Sequence, residues 1–335
     1  MPAKSSPDTA DLAYQDYILQ GVSRTFALTI PLLPPSLERA VGNAYLLCRI
    51  ADTIEDDADM AFPNKRKFAE QFIDVVRGQR PVEDFARQLG PALSDSATDA
   101  ERDLVEHSAA VVRITHSLNE RQRAAMERCV RIMADGMVYY QGKETLDGVD
   151  DQLAMDRYCY YVAGVVGEML FELFSNEIPE LDAHREEMLR LAVSFGQALQ
   201  MTNILKDIWD DRTRGACWLP RDLFQRHGIT LSEVKAGALP DGYRDCIGQL
   251  IAVAHGHLHN ALRYTLMIPP RETGVRRFCL LALGLAVLTL RRMNARRGFA
   301  SGAEVKISRR AVKATVAMTG LAARSDAALR ALFRA

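Results

Sequence analysis

Two aspartate pairs in this sequence have the spacing that could hold divalent cations. Asp52 and Asp56 are four residues apart, and so are Asp207 and Asp211. Residues four apart share one face of an α-helix, so each pair would place two like charges side by side. Mg²⁺ prefers carboxylate oxygens and shares its coordination shell with substrate phosphates. We therefore expect two facing cation sites that together bind a diphosphate.

The alternative is that each pair lies on a solvated helix face, which is typical of an isolated pair. Both pairs, however, are embedded in apolar helical sequence, such as the run 40–48 before the first pair. Tyr45 and Arg49 share the face of the first pair, and Asn203 shares the face of the second. Polar stripes on helices that otherwise look buried indicate an internal polar cavity.

The elements that must position these residues are helices. Apolar residues recur with helical period over 122–137, 187–210 and 248–266, whereas alternating β-branched patterns are nearly absent. Prolines fall between these segments, and no composition shift or long linker divides the chain. We predict one all-α domain over residues 11–335, preceded by a disordered segment, 1–10.

The composition argues against several classes of function. The chain has 335 residues, of which 48% are hydrophobic, and a formal net charge of −1 from 42 basic and 43 acidic residues. This balance argues against a nucleic-acid binder that acts through an overall positive field.

The six cysteines contain no C-x-x-C pair, which indicates reduced thiols. His255, His257 and His259 lack the H-E-x-x-H pattern, so we expect a helix surface there and no zinc site.

We expect no membrane-spanning segment in this sequence. The N-terminus is polar and lacks the apolar core of a signal peptide. The longest apolar run, 278–290, is shorter than the roughly 20 residues that a spanning helix needs, so we predict a buried core helix. We expect a cytoplasmic protein with peripheral contact to the inner face of the membrane.

Several motifs together resemble the squalene/phytoene synthase family, the head-to-head trans-prenyltransferases, over residues 14–314. They are the segment Ser23-Arg24-Thr25-Phe26, the two aspartate motifs 49–57 and 203–211, and the Tyr-Cys-Tyr-Tyr-Val-Ala-Gly helix 158–164. The aspartate motifs alone would also suit chain-elongating prenyl synthases or terpene cyclases, and the tyrosine helix favours the head-to-head family. The resemblance implies an isoprenoid-synthase fold, a single all-α bundle around a central cavity.

The resemblance also implies the roles of individual residues. Mg²⁺ ions would be held by Asp52, Asp56, Asp207 and Asp211. The diphosphates would be oriented by Ser23, Arg24, Thr25, Phe26, Tyr45, Arg49, Gln200 and Asn203. Tyr158 corresponds to the family's essential tyrosine, near the proton that leaves when a cyclopropane closes, although the diphosphate itself could be the base. Phe278 corresponds to an aromatic residue that faces the carbocation.

The resemblance leaves the product open between two kinds of reaction. Squalene-forming members join two farnesyl diphosphates through presqualene diphosphate and reduce the product with NADPH, whereas dehydrosqualene and phytoene synthases need no reductant. The segments 158–164, 277–279 and 305–310 resemble the squalene-forming members, so we expect Lys306 and Arg309 to bind NADPH. The choice between C15 and C20 substrates stays open. A non-catalytic assembly factor of this family would be expected to lose carboxylates that this chain retains.

Two departures from the family pattern accompany these expectations. Ala216 stands where the family has a basic residue, and Arg214 could substitute for it from a neighbouring position. No hydrophobic C-terminal tail follows residue 314, so we expect no membrane anchor of the eukaryotic type.

Overall fold

The computed structural model describes residues 8–23 and 26–334, so the predicted substrate residues Arg24 and Thr25 lie outside the described residues. Within the described residues the chain forms α-helices, short 3₁₀ and π turns and two isolated β-bridges, with no strand. The prediction of an all-α fold is confirmed. The first helix begins at Thr9, inside the segment that we expected to be disordered.

Close contacts divide the chain into two compact units. Unit 1 comprises the described residues up to Gly142 together with Glu168–Ala183, and unit 2 comprises Lys143–Gly167 together with the described residues from His184 onward. The expectation of a single domain over residues 11–335 stays a prediction.

Unit 1 contains the first aspartate motif and is built around one long helix. Its helices are α1 (Thr9–Val22), α2 (Phe26–Thr29), α3 (Pro35–Asp56), α4 (Phe62–Val76), α5 (Val82–Leu89), α6 (Asp99–Glu106), α7 (Ser108–Ser117) and α8 (Glu120–Gln141). Helix α3 packs against α1, α4, α6, α7 and α8. This central position explains why the apolar run 40–48 is almost entirely buried.

Unit 2 contains the second aspartate motif and the tyrosine helix. Its helices are α9 (Gln152–Cys159), α11 (Arg185–Lys206), α12 (Ile208–Thr213), α13 (Arg221–Gln225), α14 (Tyr243–Met267), α15 (Thr273–Ala295), α16 (Gly302–Val305), α17 (Arg309–Ala322) and α18 (Asp326–Arg334). Helix α10 (Val165–Glu177) starts in unit 2 and continues into unit 1. Helix α11 packs extensively on α14 and also contacts α15.

Helix α15 contains the apolar run 278–290. By length and composition it could cross a membrane, but 67% of its most apolar 18-residue window is buried inside the protein. Core helices show the same combination of length and burial, and this agrees with the prediction of a buried core helix.

A fully buried arginine on α15 connects the C-terminal helices of unit 2 through hydrogen bonds and an ion pair. The Arg276 guanidinium donates hydrogen bonds to the carbonyls of Ile268 at 2.7 Å and Ala323 at 3.2 Å. It also pairs with the carboxylate of Asp326 at 2.8 Å. One side chain therefore satisfies carbonyl groups at the end of α14 and between α17 and α18.

Replacing Arg276 by methionine is expected to lower the free energy of unfolding by about 3–5 kcal/mol, because the buried carbonyls lose their donors. Arg291→Met changes an exposed arginine of the same helix and should alter stability by less than about 0.5 kcal/mol. Urea unfolding of the two variants measures both values. Equal stabilities would contradict the role assigned to Arg276.

Candidate functional site

The first aspartate motif occupies the last two turns of α3. Asp52 is half-buried and Asp56 is exposed, and their spacing places both on one helix face. The carbonyl of Glu55 between them accepts hydrogen bonds from Lys65 Nζ at 2.6 Å and Gln141 Nε2 at 2.7 Å. Side chains from α4 and α8 therefore hold the end of the helix that carries the pair.

The next carboxylate, Asp57, has a structural role. It follows the last residue of α3 and is 2% exposed. Its Oδ1 accepts hydrogen bonds from the backbone N–H groups of Asp59 at 3.2 Å and Met60 at 2.8 Å. Its Oδ2 accepts one from Ser94 at 2.7 Å. Because these bonds occupy both oxygens, Asp57 is not available as a cation ligand.

Arg49 lies between Asp52 and a carboxylate that the sequence did not reveal. Its Nη2 forms a short ion pair with Glu101 Oε1, whereas its Nη1 is 3.9 Å from Asp52 Oδ2. Burial opposes ionisation of Glu101, but hydrogen bonds from Thr98 and the Arg49 charge outweigh it and lower the pKa of this carboxyl. A capping-box pattern, Thr98 followed by Glu101, was the signal in the sequence that could have identified the residue.

Burial, followed by repulsion from Asp56, raises the pKa of Asp52 to about 7, and the Arg49 charge opposes this shift. A carboxylate whose charged form is disfavoured is a candidate for a cation ligand, since a bound cation removes the cost.

Replacing Asp52 by asparagine is expected to stabilise the metal-free protein above neutral pH. The pKa of Asp52 exceeds its usual value of 3.8, so the native state binds more protons and loses stability as the pH rises from about 4 to 7. The variant lacks this loss. Its free energy of unfolding should equal that of the wild type near pH 4 and exceed it by about 1–2 kcal/mol at pH 8. We expect a moderate difference because 29% of the Asp52 side chain is exposed to solvent, which screens the charge.

Urea unfolding in EDTA at both pH values measures this difference. A variant that is no more stable than the wild type at pH 8 would show that the charge of Asp52 is not destabilising.

The N-terminal substrate segment adjoins the same face of α3. Ser23 Oγ accepts hydrogen bonds from the backbone N–H groups of Phe26 at 3.0 Å and Ala27 at 3.3 Å, so this serine caps α2. Tyr45 Oη donates a hydrogen bond to the Val22 carbonyl at 3.0 Å, and its ring contacts Phe26 with the centroids 5.3 Å apart. Unit 1 therefore brings Ser23, Phe26 and Tyr45 together.

The second aspartate motif is bent, whereas we predicted a continuous helix over 187–210. Helix α11 ends at Lys206 and α12 begins at Ile208, with Asp207 at φ −100° and ψ 14°. The hydrogen bonds from Asp207 N–H to Asn203 and from Asp211 N–H to Asp207 persist at 2.8 Å and 2.9 Å. The helical spacing of the pair therefore survives the bend.

Each carboxylate of the second pair has a basic neighbour. Lys206 Nζ lies 3.1 Å from Asp207 Oδ2, and Arg214 Nη2 lies 2.6 Å from Asp211 Oδ1. Burial raises the pKa of Asp211, with Asp207 and Asp210 adding repulsion and Arg214 opposing it. Ala216, at the position where the family has a basic residue, is buried, and Arg214 supplies the nearby positive charge.

The C-terminal basic segment is attached to this motif. Trp209 Nε1 donates a hydrogen bond to the Phe299 carbonyl at 2.8 Å. A Cβ atom on Gly302 would lie 3.1 Å from the Lys206 carbonyl and 3.4 Å from Asp207 Oδ1, so the start of α16 packs directly against Lys206 and Asp207. Lys306 and Arg309 follow α16 and are exposed.

The other predicted residues of unit 2 lie on three helices. On α11, Gln200 is half-buried and Asn203 is exposed. On α15, Phe278 is buried. On α9, Tyr158 is buried, and its ring stacks on Trp218 with centroids 3.9 Å apart and planes 7° apart. Trp218 follows the second aspartate motif and was not identified from the sequence.

The tyrosine helix is not regular. Residues Tyr160–Gly164 form a π turn, a feature that is frequent at functional sites. A Cβ on Gly196 would lie 2.1 Å from the Ala163 carbonyl, and one on Gly167 would lie 2.1 Å from the Ala192 carbonyl. These glycines let the backbones of α11 and the π turn touch, which fixes the segment that follows Tyr158.

The described residues contain no group of three or more His, Cys, Asp or Glu side chains that could hold a metal ion. Mg²⁺ usually takes one or two carboxylates and completes its shell with water and substrate phosphates, so the paired aspartates fit this ion.

The three histidines on α14 differ in environment. His257 Nδ1 lies 2.7 Å from Ser194 Oγ on α11, so this residue does not belong to the helix surface that we expected.

A cavity of about 560 Å³ in unit 1 lies between α1, α2 and the start of α3. None of the predicted site residues that the structure describes lines it. The chemistry argued from the sequence therefore belongs to the aspartate motifs and does not extend to this cavity.

Comparisons with known proteins agree with these features. The sequence model of the family described as Squalene/phytoene synthase matches residues 19–311. Squalene synthase from Eremothecium gossypii is 27% identical over 291 residues, covering 86% of this chain and 64% of that protein. Squalene synthase from Schizosaccharomyces pombe is 29% identical over 294 residues, covering 85% of this chain and 59% of that protein. The chain thus spans about 60% of the length of these relatives.

The fold is shared with a solved structure of TcSQS in complex with the ligand BPH1237. That chain is 22% identical, with a TM-score of 0.72 and 96% of each chain covered. The family match covers most of the sequence, including both aspartate motifs and the tyrosine helix. This chain is therefore a member of the squalene/phytoene synthase family.

Proposed function

We propose that this chain is a squalene synthase, an enzyme that joins two farnesyl diphosphates through presqualene diphosphate and reduces the product with NADPH. Relatives named squalene synthase, which match 85–86% of the chain, support the proposal. The observation in the structure that carries it is the attachment of the exposed basic segment to the second aspartate motif through Phe299 and Gly302. A basic segment attached there would bind the phosphates of a reductant close to the aspartates proposed to bind the diphosphate.

The aspartate pairs would bind the metal ions, and their basic neighbours would bind the diphosphates directly. Asp52 and Asp56 of unit 1, and Asp207 and Asp211 of unit 2, would hold Mg²⁺. When bound, Mg²⁺ would neutralise charge on the oxygens of the departing diphosphate. Arg49, Lys206 and Arg214 already lie beside these carboxylates, so their N–H donors are in position to bind phosphate oxygens. Ser23, Arg24, Thr25, Phe26, Tyr45, Gln200 and Asn203 would complete the predicted substrate contacts.

The buried aromatic residues would protect the carbocation that remains. Tyr158 is held flat against Trp218, so its ring and hydroxyl have a fixed orientation. Phe278 is buried in the first turns of α15, where an aromatic face could stabilise positive charge. Excluding water from the cation is the requirement that these apolar surfaces meet.

NADPH would bind without a dinucleotide fold. When bound, it would supply the hydride that ends the reaction. No strand precedes a glycine-rich turn within the described residues, so the cofactor would rely on basic side chains such as Lys306 and Arg309 for its phosphates.

Replacing both Lys306 and Arg309 by alanine is expected to raise the KM for NADPH by about tenfold or more, because two phosphate contacts are lost. Formation of presqualene diphosphate should be unchanged. The control Lys313→Ala removes an exposed basic residue further along α17 and should leave both steps intact. If the first half-reaction slows as much as the second, these residues do not bind NADPH.

The product identifies the reaction. Purified protein is incubated with farnesyl diphosphate and Mg²⁺, with and without NADPH, and extracted hydrocarbons are identified by mass spectrometry. Squalene that forms only with NADPH is the expected result. Dehydrosqualene formed regardless of NADPH would assign the chain to the reductant-independent synthases. Absence of product from farnesyl and geranylgeranyl diphosphates would favour the non-catalytic assembly factor.

The cellular location follows from the product. Squalene is insoluble in water, so we propose a cytoplasmic enzyme with peripheral contact to the inner face of the membrane. Fractionation of cells that express the tagged chain would test this location, and protein recovered in a tightly integrated membrane fraction would contradict it.

A further inference from the structure

A buried carboxylate outside the family motifs controls the position of Arg49. Glu101 lies in the first turn of α6 and is 8% exposed. Its Oε2 accepts hydrogen bonds from Thr98 N–H and Thr98 Oγ1, both at 2.8 Å. The cap leaves Oε1 for the Arg49 guanidinium, which forms a short ion pair with it. Because Thr98 fixes one oxygen of the carboxylate, the other has a defined place for the arginine.

Arg49 lies between the carboxylates of Asp52 and Glu101. Its short ion pair is with Glu101, which is the more distant of the two in the sequence. Asp52, one helical turn away on α3, is 3.9 Å from the nearest guanidinium nitrogen, beyond hydrogen-bonding distance. Without Glu101, the guanidinium would be attracted to Asp52 without competition. A bidentate ion pair between Arg49 and Asp52 would occupy both carboxylate oxygens and would weaken the attraction of the site for a cation.

The orientation of Arg49 also leaves a donor unused. Its Nε is buried, and no acceptor among the described residues lies within hydrogen-bonding distance of it. The Nε atoms of Arg39, Arg80 and Arg123 are unpaired in the same way. The orientation of Arg49 therefore follows from its ion pair with Glu101 alone.

We propose that Glu101 is a positioning residue that holds Arg49 away from Asp52, so that Asp52 stays available for Mg²⁺ and Arg49 for a diphosphate oxygen. The inference rests on the proposed function, because it concerns the same diphosphate site. Glu101 itself touches neither ligand in this scheme, and its effect is transmitted entirely through Arg49.

The test measures cation binding without turnover. The melting temperature of the full chain is followed during Mg²⁺ titration at a fixed concentration of inorganic diphosphate. Glu101→Gln keeps the shape of the cap and removes the charge that holds Arg49. We expect this variant to need about tenfold more Mg²⁺ for half of the maximal shift, as is common when a partner of a ligand is lost.

Three further variants separate positioning from a general effect on structure. Asp99→Asn removes an exposed acid from the same turn of α6 and should leave the Mg²⁺ midpoint unchanged. Thr98→Ala weakens the cap and should lower the melting temperature with a change of less than about twofold in the midpoint. In the Arg49→Met background, Glu101→Gln should change the midpoint by less than about twofold, because the residue through which it acts is absent.

Activity gives a second and separate measurement. With farnesyl diphosphate, Glu101→Gln should recover most of the wild-type kcat when Mg²⁺ is raised by about tenfold. An unchanged Mg²⁺ midpoint in Glu101→Gln, or an equal effect in the Arg49→Met background, would overturn the inference while leaving the proposed function standing. A wild-type protein that forms no product and shows no Mg²⁺-dependent shift would overturn both.

Discussion

Replacing Asp207 by asparagine is expected to lower kcat by about 10³-fold or more, because the loss of one charged ligand weakens stabilisation of the departing diphosphate. The residue lies at the bend between α11 and α12, where its backbone N–H still bonds to Asn203 and its carbonyl to Asp211 N–H. Asparagine preserves these backbone bonds and nearly the same volume. Steady-state turnover of farnesyl diphosphate measures the change, and circular dichroism should show unaltered helix content.

Asp210→Asn is the matched control for this prediction. Asp210 is an exposed carboxylate on α12, three residues further along, and it lies within the second motif but outside the Asp207–Asp211 pair. We expect its turnover to stay within about threefold of the wild type, since no ligand is lost. Substantial activity of Asp207→Asn at saturating Mg²⁺ would contradict the assignment of Asp207 as a metal ligand.

Replacing Gly196 by alanine is expected to reduce the free energy of unfolding by about 3 kcal/mol or more, since an added methyl group would overlap backbone atoms. Its Cβ would lie 2.1 Å from the Ala163 carbonyl oxygen and 2.8 Å from Gly164 N. Neither group can rotate away, so α11 would have to separate from the π turn. Because that turn follows Tyr158 directly, we expect turnover to fall as well.

Gly256→Ala is the control for this prediction. It tests whether the loss of stability in Gly196→Ala comes from the close backbone contact or would follow from replacing any glycine within a helix. Gly256 lies within α14, and apart from the neighbouring residues of its own helix no atom of the described residues comes within 4 Å of a Cβ placed there. Alanine is the better helix former, so this variant should be more stable by about 0.5–1 kcal/mol. Chemical unfolding of the two variants gives the comparison. A Gly196→Ala protein as stable as the wild type would show that the two backbones can move apart at little cost.

Local patterns were sufficient for the helices and for the metal hypothesis. Helical periodicity identified α8, α11 and α14, because apolar spacing reflects which face of a helix is buried. The four-residue spacing of Asp52 and Asp56 placed them on one face for the same reason. The bend at Asp207 was not predicted. Both carboxylates keep helical spacing across it, and an apolar periodicity does not reveal a break that is confined to one residue.

The roles within the motifs depended on contacts between distant residues. The sequence shows Asp56 and Asp57 as neighbours of equal chemistry, yet backbone donors from the 59–60 turn and from Ser94 give Asp57 a structural role. Similarly, the capping box at Thr98 is visible in the sequence, but its link to Arg49 spans 52 positions and requires α3 and α6 to pack together. Such partners cannot be predicted from spacing along a single helix.

Sequence alone was enough to predict an all-α fold with two carboxylate pairs, because these are properties of period and spacing within single helices. The family followed from the resemblance of several motifs taken together, and the family match over residues 19–311 confirms it. Tertiary structure decided which groups from distant segments restrain the site residues: Glu101 holds Arg49, and Trp218 stacks on Tyr158. The physical reason is that electrostatic and stacking energies depend on distances of a few ångströms between side chains, and packing of separate segments sets most of these distances.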